Sequence, residues 1–77
     1  MVKPTRVTNS IRTLRFAAGE MTQADLAERI GVTRQTVIAI EQGRYSPSLE
    51  VAFQIARELG VSLDAVFHYP DTDESET

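Results

Sequence analysis

Apolar residues recur along the chain in short runs that have helical spacing and are separated by glycine or proline. In one of these runs, Leu26, Ala27 and Ile30 lie at i, i+1 and i+4, on one face of a helix. Glycines at positions 19, 31, 43 and 60 follow four of the runs, and glycine commonly ends a helix because it adopts positive φ at no steric cost. No segment alternates apolar and polar residues for long enough to predict a strand. The pattern therefore predicts five short helices.

Residues that commonly cap helices precede each predicted helix. Their positions are Asn9 or Ser10, Thr22, Thr33, Ser48 and Ser62. Asp25 follows Thr22 by three residues, which is a short-armed variant of the capping box. The fifth helix is expected to span residues 63–67. The inward residues expected in the fourth helix are Leu49, Ala52, Phe53, Ala56 and Leu59.

The length of 77 residues allows one domain. The absence of cysteine excludes a disulfide scaffold and a thiolate site, and a single histidine excludes most zinc sites. We therefore expect no metal and no cofactor. No apolar run approaches the roughly 20 residues of a membrane span, and the first ten residues lack an apolar signal core. We expect a soluble cytoplasmic domain that does not interact with membranes.

The net charge of −3 hides an uneven distribution. Residues 1–44 hold seven of the eight lysines and arginines against four acids, a net charge of +3, whereas residues 45–77 carry −6. This segregation indicates a basic working face and an acidic remainder. We predict a flexible basic arm over residues 1–8, a folded domain over 9–69 and a disordered acidic tail over 70–77.

Residues 23–42 predict two helices of about eight to nine residues, joined by the three residues 31–33. So short a connection allows only a tight turn. Ala27 is small where the two helices would cross, which lets them approach each other. The outward side of the second of these helices combines long polar donors with small or apolar groups, at Arg34, Gln35, Ile38, Ala39 and Gln42. Such a face fits the edges of base pairs in a major groove about 12 Å wide.

Motifs along the chain share the order and spacing of one known family. They are Leu14-Arg15, Thr22-Gln23, Leu26-Ala27, Gly31-Val32-Thr33, Thr36-Val37, Ile40-Glu41, Gly43-Arg44, Pro47-Ser48-Leu49, Ile55-Ala56, Leu59-Gly60-Val61 and Val66-Phe67. Over residues 9–67 the chain resembles the Cro/phage-repressor, or XRE-like, helix-turn-helix family. The resemblance implies an all-α, compact five-helix, lambda-repressor-like DNA-binding domain. Its second and third helices would form the helix-turn-helix.

The resemblance further implies that the third helix, residues 34–42, reads base pairs in the major groove. It assigns base reading to Thr33, Arg34, Gln35, Ile38 and Ala39. Arg34 suits a bidentate pair with guanine and Gln35 one with adenine, while Ile38 suits a thymine methyl group. Some relatives carry a long polar residue in place of Ala39, so fewer direct base hydrogen bonds are available here, and we expect specificity either to be modest or to depend on DNA shape.

Contacts with the DNA backbone are also implied by the resemblance. They are assigned to Gln23, Thr36, Gln42 and Arg44. Gln23 begins the second helix, where family members bind a phosphate through that side chain and the helix amides. Arg44 is expected to position the protein rather than to specify a sequence. Arg15 and Glu41 match positions that form a partly buried ion pair between the first and third helices, which is a structural role.

The expected function is that of a sequence-specific transcriptional regulator that binds double-stranded DNA as a homodimer. Repression is the expected action. The candidate dimer interface comprises Val51, Val61, Phe67 and Tyr69. Two recognition helices about 34 Å apart would meet successive major grooves. His68 is expected to serve packing or the surface rather than to bind a ligand.

One alternative stays open at this point. An antitoxin-like or accessory module would bind DNA only together with a protein partner, which would use the C-terminal end. An enzyme is not expected, because the sequence offers no paired-carboxylate pocket, phosphate loop or histidine relay.

Overall fold

The computed structural model describes residues 5–44 and 46–70. Five α-helices are present in these residues, as the sequence pattern predicts, and a short two-stranded ladder joins the two ends of the chain. In order the elements are β1 Thr8–Asn9, α1 Ile11–Ala17, α2 Gln23–Ile30, α3 Arg34–Glu41, α4 Leu49–Leu59, α5 Leu63–Val66 and β2 Phe67–His68. The prediction of an all-α, five-helix domain is confirmed.

Local side chains define where the helices begin. At α2 the hydroxyl of Thr22 accepts a hydrogen bond from the amide of Asp25 (2.9 Å), and the Asp25 carboxylate accepts one from the amide of Thr22 (3.1 Å). This is the predicted capping box, in which two otherwise unpaired amides are satisfied. Ser48 caps α4 by accepting from the amide of Val51. Ser62 makes no such cap, because its hydroxyl donates to the Asp64 carboxylate instead.

The core lies where α2 packs against α3 and α4. It is built from buried aliphatic side chains of every helix and of the loop before α2. The fully buried ones with the largest volume are Ile11, Leu26, Ile40, Ile55, Val37 and Val66. Because these residues come from all five helices, their burial fixes each helix relative to the others.

Two of the residues expected to face inward from α4 do not. Leu49 is 69% exposed and Phe53 54% exposed. The buried face of α4 is formed by Ala52, Ile55, Ala56 and Leu59, which have the spacing i, i+3, i+4 and i+7 of a single stripe. Phe53 lies about 100° around the helix from Ala52, and Leu49 is the first residue of the helix. Both therefore fall outside the part of α4 that the other helices cover.

The expectation of no strands is wrong at the two ends of the domain. Thr8 pairs with His68 and Asn9 with Phe67 in an antiparallel ladder. Phe67 is therefore extended (φ −115°, ψ 141°) rather than the last residue of the fifth helix. Two-residue strands are too short to show alternation, so the sequence pattern could not indicate them. Of the predicted arm, Thr8 lies in this ladder and residues 1–4 lie outside the described residues, as do residues 71–77 of the predicted tail.

Acidification is expected to weaken the start of α2. The amide and hydroxyl of Thr22, together with Arg29, hold the pKa of the Asp25 carboxyl below its ordinary value of 3.8. A lowered pKa in the folded state means that the ionised carboxylate stabilises the fold above pH 3.8 and that this contribution disappears as the pH falls through the lowered pKa. Thermal unfolding followed by circular dichroism should thus show Asp25→Asn below the wild type in Tm at pH 6, with a difference that shrinks as the pH falls below 3.8. A Tm difference that stayed constant over this range would contradict the assignment.

Candidate nucleic-acid interface

The helix pair α2–α3 is joined by a turn that sets its angle. Gly31 ends α2 with a φ of 74°, a conformation that a residue with a Cβ adopts only with strain. The amide of Val32 donates to the carbonyl oxygen of Ala27 at 3.0 Å, which closes the turn against α2. The hydroxyl of Thr33 then accepts from the amide of Thr36 and caps α3. Ala27 itself is 3% exposed, so a larger side chain at this position would push against its neighbours.

The outward side of α3 carries polar side chains that no described residue binds. Arg34 and Gln35 are exposed, and within residues 5–44 and 46–70 neither side chain makes a hydrogen bond or an ion pair. Ile38 and Ala39 are half-buried beside them. Thr33 and Thr36 differ from Arg34 and Gln35, because their hydroxyls lie 3.0 Å apart and bond to each other. The structure thus brings the five predicted base-reading residues onto one end and one side of α3.

An ion pair fixes α3 against α1. Arg15 donates from Nε to Oε2 of Glu41 at 2.7 Å and from Nη2 to Oε1 at 3.3 Å. The remaining terminal nitrogen, Nη1, donates to the carbonyl oxygen of Met21 at 2.8 Å. Only 8% of the Arg15 side chain and 10% of the Glu41 side chain are exposed. The two parallel bonds orient both side chains, so the pair holds the C-terminal end of α3 in a defined place.

Gln23 belongs to the same network. Its Nε2 donates to Oε1 of Glu41 at 3.2 Å, so the amide is held at the start of α2 rather than free to rotate. It faces a polar groove of about 320 Å³ that lies between the first residues of α1 and α2 and the end of α3. The lining residues are Asn9, Ser10, Arg12, Thr13, Gln23, Glu41 and Gln42.

The lining residues that were not candidates for DNA contact from the sequence include Arg12 and Thr13, and also Asn9 and Ser10, which the sequence indicates only as possible caps of α1. Arg12 and Thr13 are exposed on the side of α1 that faces away from the core, and Arg12 has no ion-pair partner within the described residues. A cation in the first turn of a helix, next to the apolar stripe that begins at Ile11, was the signal that could have indicated them. Arg44, which follows α3, is likewise exposed and without an ion-pair partner in the described ranges.

The four candidate interface residues do not form one free patch. Val51, Val61 and Phe67 are half-buried and pack against the core. Tyr69 is 68% exposed, and the guanidinium carbon of Arg6 lies 5.9 Å from the centre of its ring. Leu49, Phe53 and Phe16 are the other large apolar side chains with more than half of their surface exposed among the described residues.

Other kinds of site are not found in the part of the chain that the structure describes. There, no group of three or more histidine, cysteine, aspartate or glutamate side chains is arranged to hold a metal ion. Among the same residues, no helix has the length and apolar character needed to cross a membrane. His68 lies with its Nε2 3.2 Å from the hydroxyl of Ser10, at the surface.

Comparison with known proteins agrees with this geometry. Residues 11–66 match the model of the helix-turn-helix family. The chain belongs to this family. An HTH-type transcriptional regulator of Methanocaldococcus jannaschii is 51% identical over 57 residues, which are 74% of this chain and 86% of that protein.

Two solved structures illustrate the relationship. The restriction-modification controller protein C.AhdI of Aeromonas hydrophila superposes with a TM-score of 0.65 at 31% identity, over 71% of this chain and 82% of that one. The P22 c2 repressor, crystallised with a synthetic operator, superposes with a TM-score of 0.65 at 26% identity, over 70% of this chain and 80% of that one. The lambda-repressor-like fold and the family expected from the sequence are confirmed. This helix-turn-helix protein is a DNA-binding transcriptional regulator and not an enzyme.

Proposed function

We propose that this regulator binds specific sequences of double-stranded DNA as a homodimer, with α3 in the major groove, and that it represses transcription. The observation that carries the proposal is the outward side of α3. Arg34 and Gln35 present donors that no described residue binds, beside the half-buried Ile38 and Ala39. Unsatisfied donors next to small apolar groups fit base edges, which combine acceptors with thymine methyl groups.

The groups that flank α3 support the same orientation. Arg44 and Gln42 lie exposed after its last turn, and Gln23 lies at the start of α2 on the polar groove. Cations and amides at these places suit the phosphates that border a major groove. Two of the proposed phosphate contacts already have a partner within the protein: the Thr36 hydroxyl is bonded to that of Thr33, and the Gln23 amide donates to Glu41.

A homodimer is supported by the small size of the module. One domain of this size contacts little DNA, and single modules bury only about 600–1,000 Å² of protein surface on a duplex. Two copies related by a twofold axis would place their recognition helices about 34 Å apart, in successive major grooves on one side of the duplex. Within this proposal, Val51, Val61, Phe67 and Tyr69 remain the candidate interface. Because three of them also pack against the core, Tyr69 offers most of the free surface.

Repression follows from occupancy. A dimer bound across two major grooves prevents other proteins from using the same stretch of DNA. The similarity to the P22 c2 repressor, whose structure contains a synthetic operator, supports this mode of action.

Selection from a random duplex library at about 150 mM salt tests the proposal. The wild type should enrich a palindrome whose half-sites lie about one helical turn apart. Arg34→Ala should lose roughly 1–3 kcal/mol of binding free energy on that sequence and relax one base position in each half-site. The comparison of dissociation constants on the selected and on a random duplex, by fluorescence anisotropy, measures both effects.

Arg44→Ala is the matched control, because it removes the same charge from the backbone-facing end of α3. It should weaken binding to the selected and the random duplex by about the same factor. Equal losses on both duplexes from Arg34→Ala would show that Arg34 does not read bases. No enrichment by the wild type would favour the accessory module that needs a protein partner.

A further inference from the structure

Asn9 connects three elements that meet beside the polar groove. Its Oδ1 accepts a hydrogen bond from the amide of Ile11 at 3.1 Å, at the start of α1. Its Nδ2 lies 3.0 Å from the carbonyl oxygen of Ile40 and 3.5 Å from that of Glu41, at the end of α3. The partners require one orientation of the side-chain amide, because the amide of Ile11 needs an acceptor and the two carbonyls need a donor.

The backbone of Asn9 is held as firmly as its side chain. Asn9 pairs with Phe67 in the β1–β2 ladder, and the next amide, that of Ser10, donates to the carbonyl oxygen of Val66 at 2.8 Å. The ladder therefore prevents residue 9 from moving away from α3. A half-buried side chain that starts from a fixed backbone can position the helix that it contacts.

The end of α3 offers acceptors for such a donor. The carbonyl oxygen of Ile40 already accepts from the amide of Gly43 at 3.0 Å, so Asn9 uses its second lone pair. The last carbonyls of a helix together form the negative end of the helix dipole. An amide donor satisfies them without adding a charge. Asn9 does so from outside the helix-turn-helix, on the side where Gln42 and Arg44 follow α3.

We infer that Asn9 is a positioning residue for DNA recognition, one that fixes the C-terminal end of the recognition helix α3 through the donor side of its amide. This inference rests on the proposed function for its effect on DNA binding. Arg15 holds the Glu41 side chain of α3 from α1, whereas Asn9 holds the α3 backbone. The two contacts together fix both the position and the rotation of α3 relative to α1.

Asn9→Asp distinguishes the acceptor function of the side chain from its donor function. The carboxylate keeps an acceptor for the amide of Ile11, loses the donor, and places a negative charge against the carbonyls of α3 and near Glu41. In hydrogen exchange of the free protein by NMR, the amides of Gln42, Gly43 and Arg44 should exchange at least about fivefold faster than in the wild type. The amide of Ile11 should stay as protected as before.

Two further variants complete the exchange experiment. Asn9→Ala removes both the acceptor oxygen and the donor nitrogen without adding a charge. The amide of Ile11 and the amides after α3 should therefore all exchange faster. Ser48→Ala removes the cap of α4, a comparable local loss, and should leave the amides after α3 unchanged. Protection of those three amides at the wild-type level in both Asn9 variants would overturn the inference.

The functional readout is the ratio of the dissociation constants on a random and on the selected duplex, at a temperature where circular dichroism shows every variant folded. Asn9→Asp should lower this ratio about tenfold, because a shifted α3 misplaces Arg34 and Gln35, whereas a charge alone would weaken both complexes alike. Ser48→Ala should keep the wild-type ratio.

An unchanged ratio for Asn9→Asp would overturn the role of Asn9 in recognition. A ratio near one for the wild type would contradict the proposed function instead, and hydrogen exchange would still decide whether Asn9 holds α3.

Discussion

Replacing Glu41 with alanine is expected to lower the free energy of unfolding by about 3–5 kcal/mol. The substitution leaves the Arg15 guanidinium, with 8% of its side chain exposed, facing the space that the carboxylate filled. Among the described residues, its one other hydrogen bond goes to the carbonyl oxygen of Met21, which cannot neutralise a charge. Gln23 loses its bond to Glu41 as well. Because domains of this kind have about 5–15 kcal/mol of stability in total, the variant should be close to unfolding at 37 °C.

Urea denaturation followed by circular dichroism measures this loss, and the chain offers a matched control. Glu58 pairs with Arg29 at 3.5 Å, with 32% and 55% of the side chains exposed. Glu58→Ala should therefore change the unfolding free energy by less than about 1 kcal/mol. The double variant Arg15→Met, Glu41→Leu leaves no unpaired charge and should be more stable than Glu41→Ala. Similar losses from Glu41→Ala and Glu58→Ala would show that burial of the Arg15–Glu41 pair has no energetic consequence.

The helices could be predicted because their signals are local. Thr22 and Asp25 form their capping box within one turn, and Gly31 ends α2 through its own φ. The wrong expectations concern contacts between distant parts of the chain. Whether Leu49 and Phe53 are covered depends on how far α2 and α5 extend along α4, which spacing within α4 does not contain. The β1–β2 ladder joins residues about 60 positions apart, and no local pattern specifies such a pairing.

In the candidate interface, too, local features could be predicted and contacts between distant residues could not. The outward residues of α3 could be predicted, because Gln35 lies opposite the face of Val37 and Ile40 and Arg34 is a long cation in the first turn. The groove beside α3 could not, because it is formed where the ends of three helices meet. For the same reason Arg12 was missed, and so was the contact of Asn9 with the carbonyl of Ile40. The sequence indicates Gln23 as a phosphate ligand. Its bond to Glu41 could not be predicted, because it depends on how closely α2 approaches α3.

Salt is expected to have a large effect on DNA binding by this chain, despite its net charge of −3. Arg12 and Arg44 are exposed beside α3, and neither has an ion-pair partner within the described residues. If each neutralises one phosphate in both protomers, the slope of log K against log salt is about −3.6. The association constant should then fall about 150-fold between 50 and 200 mM salt. Fluorescence anisotropy on the selected duplex measures the slope.

The same slope reports how many copies of the chain bind. Each phosphate contact contributes about 0.9 to it, so Arg44→Ala should reduce its magnitude by about 1.8 if two protomers bind together and by about 0.9 if one binds alone. Arg57→Ala is the control, because Arg57 is an exposed cation of α4 and is not assigned to DNA. It should leave the slope within about 0.3 of the wild type, since it releases no counterion from the duplex. A reduction of about 0.9 from Arg44→Ala would contradict the homodimer, and no reduction would remove Arg44 from the backbone contacts.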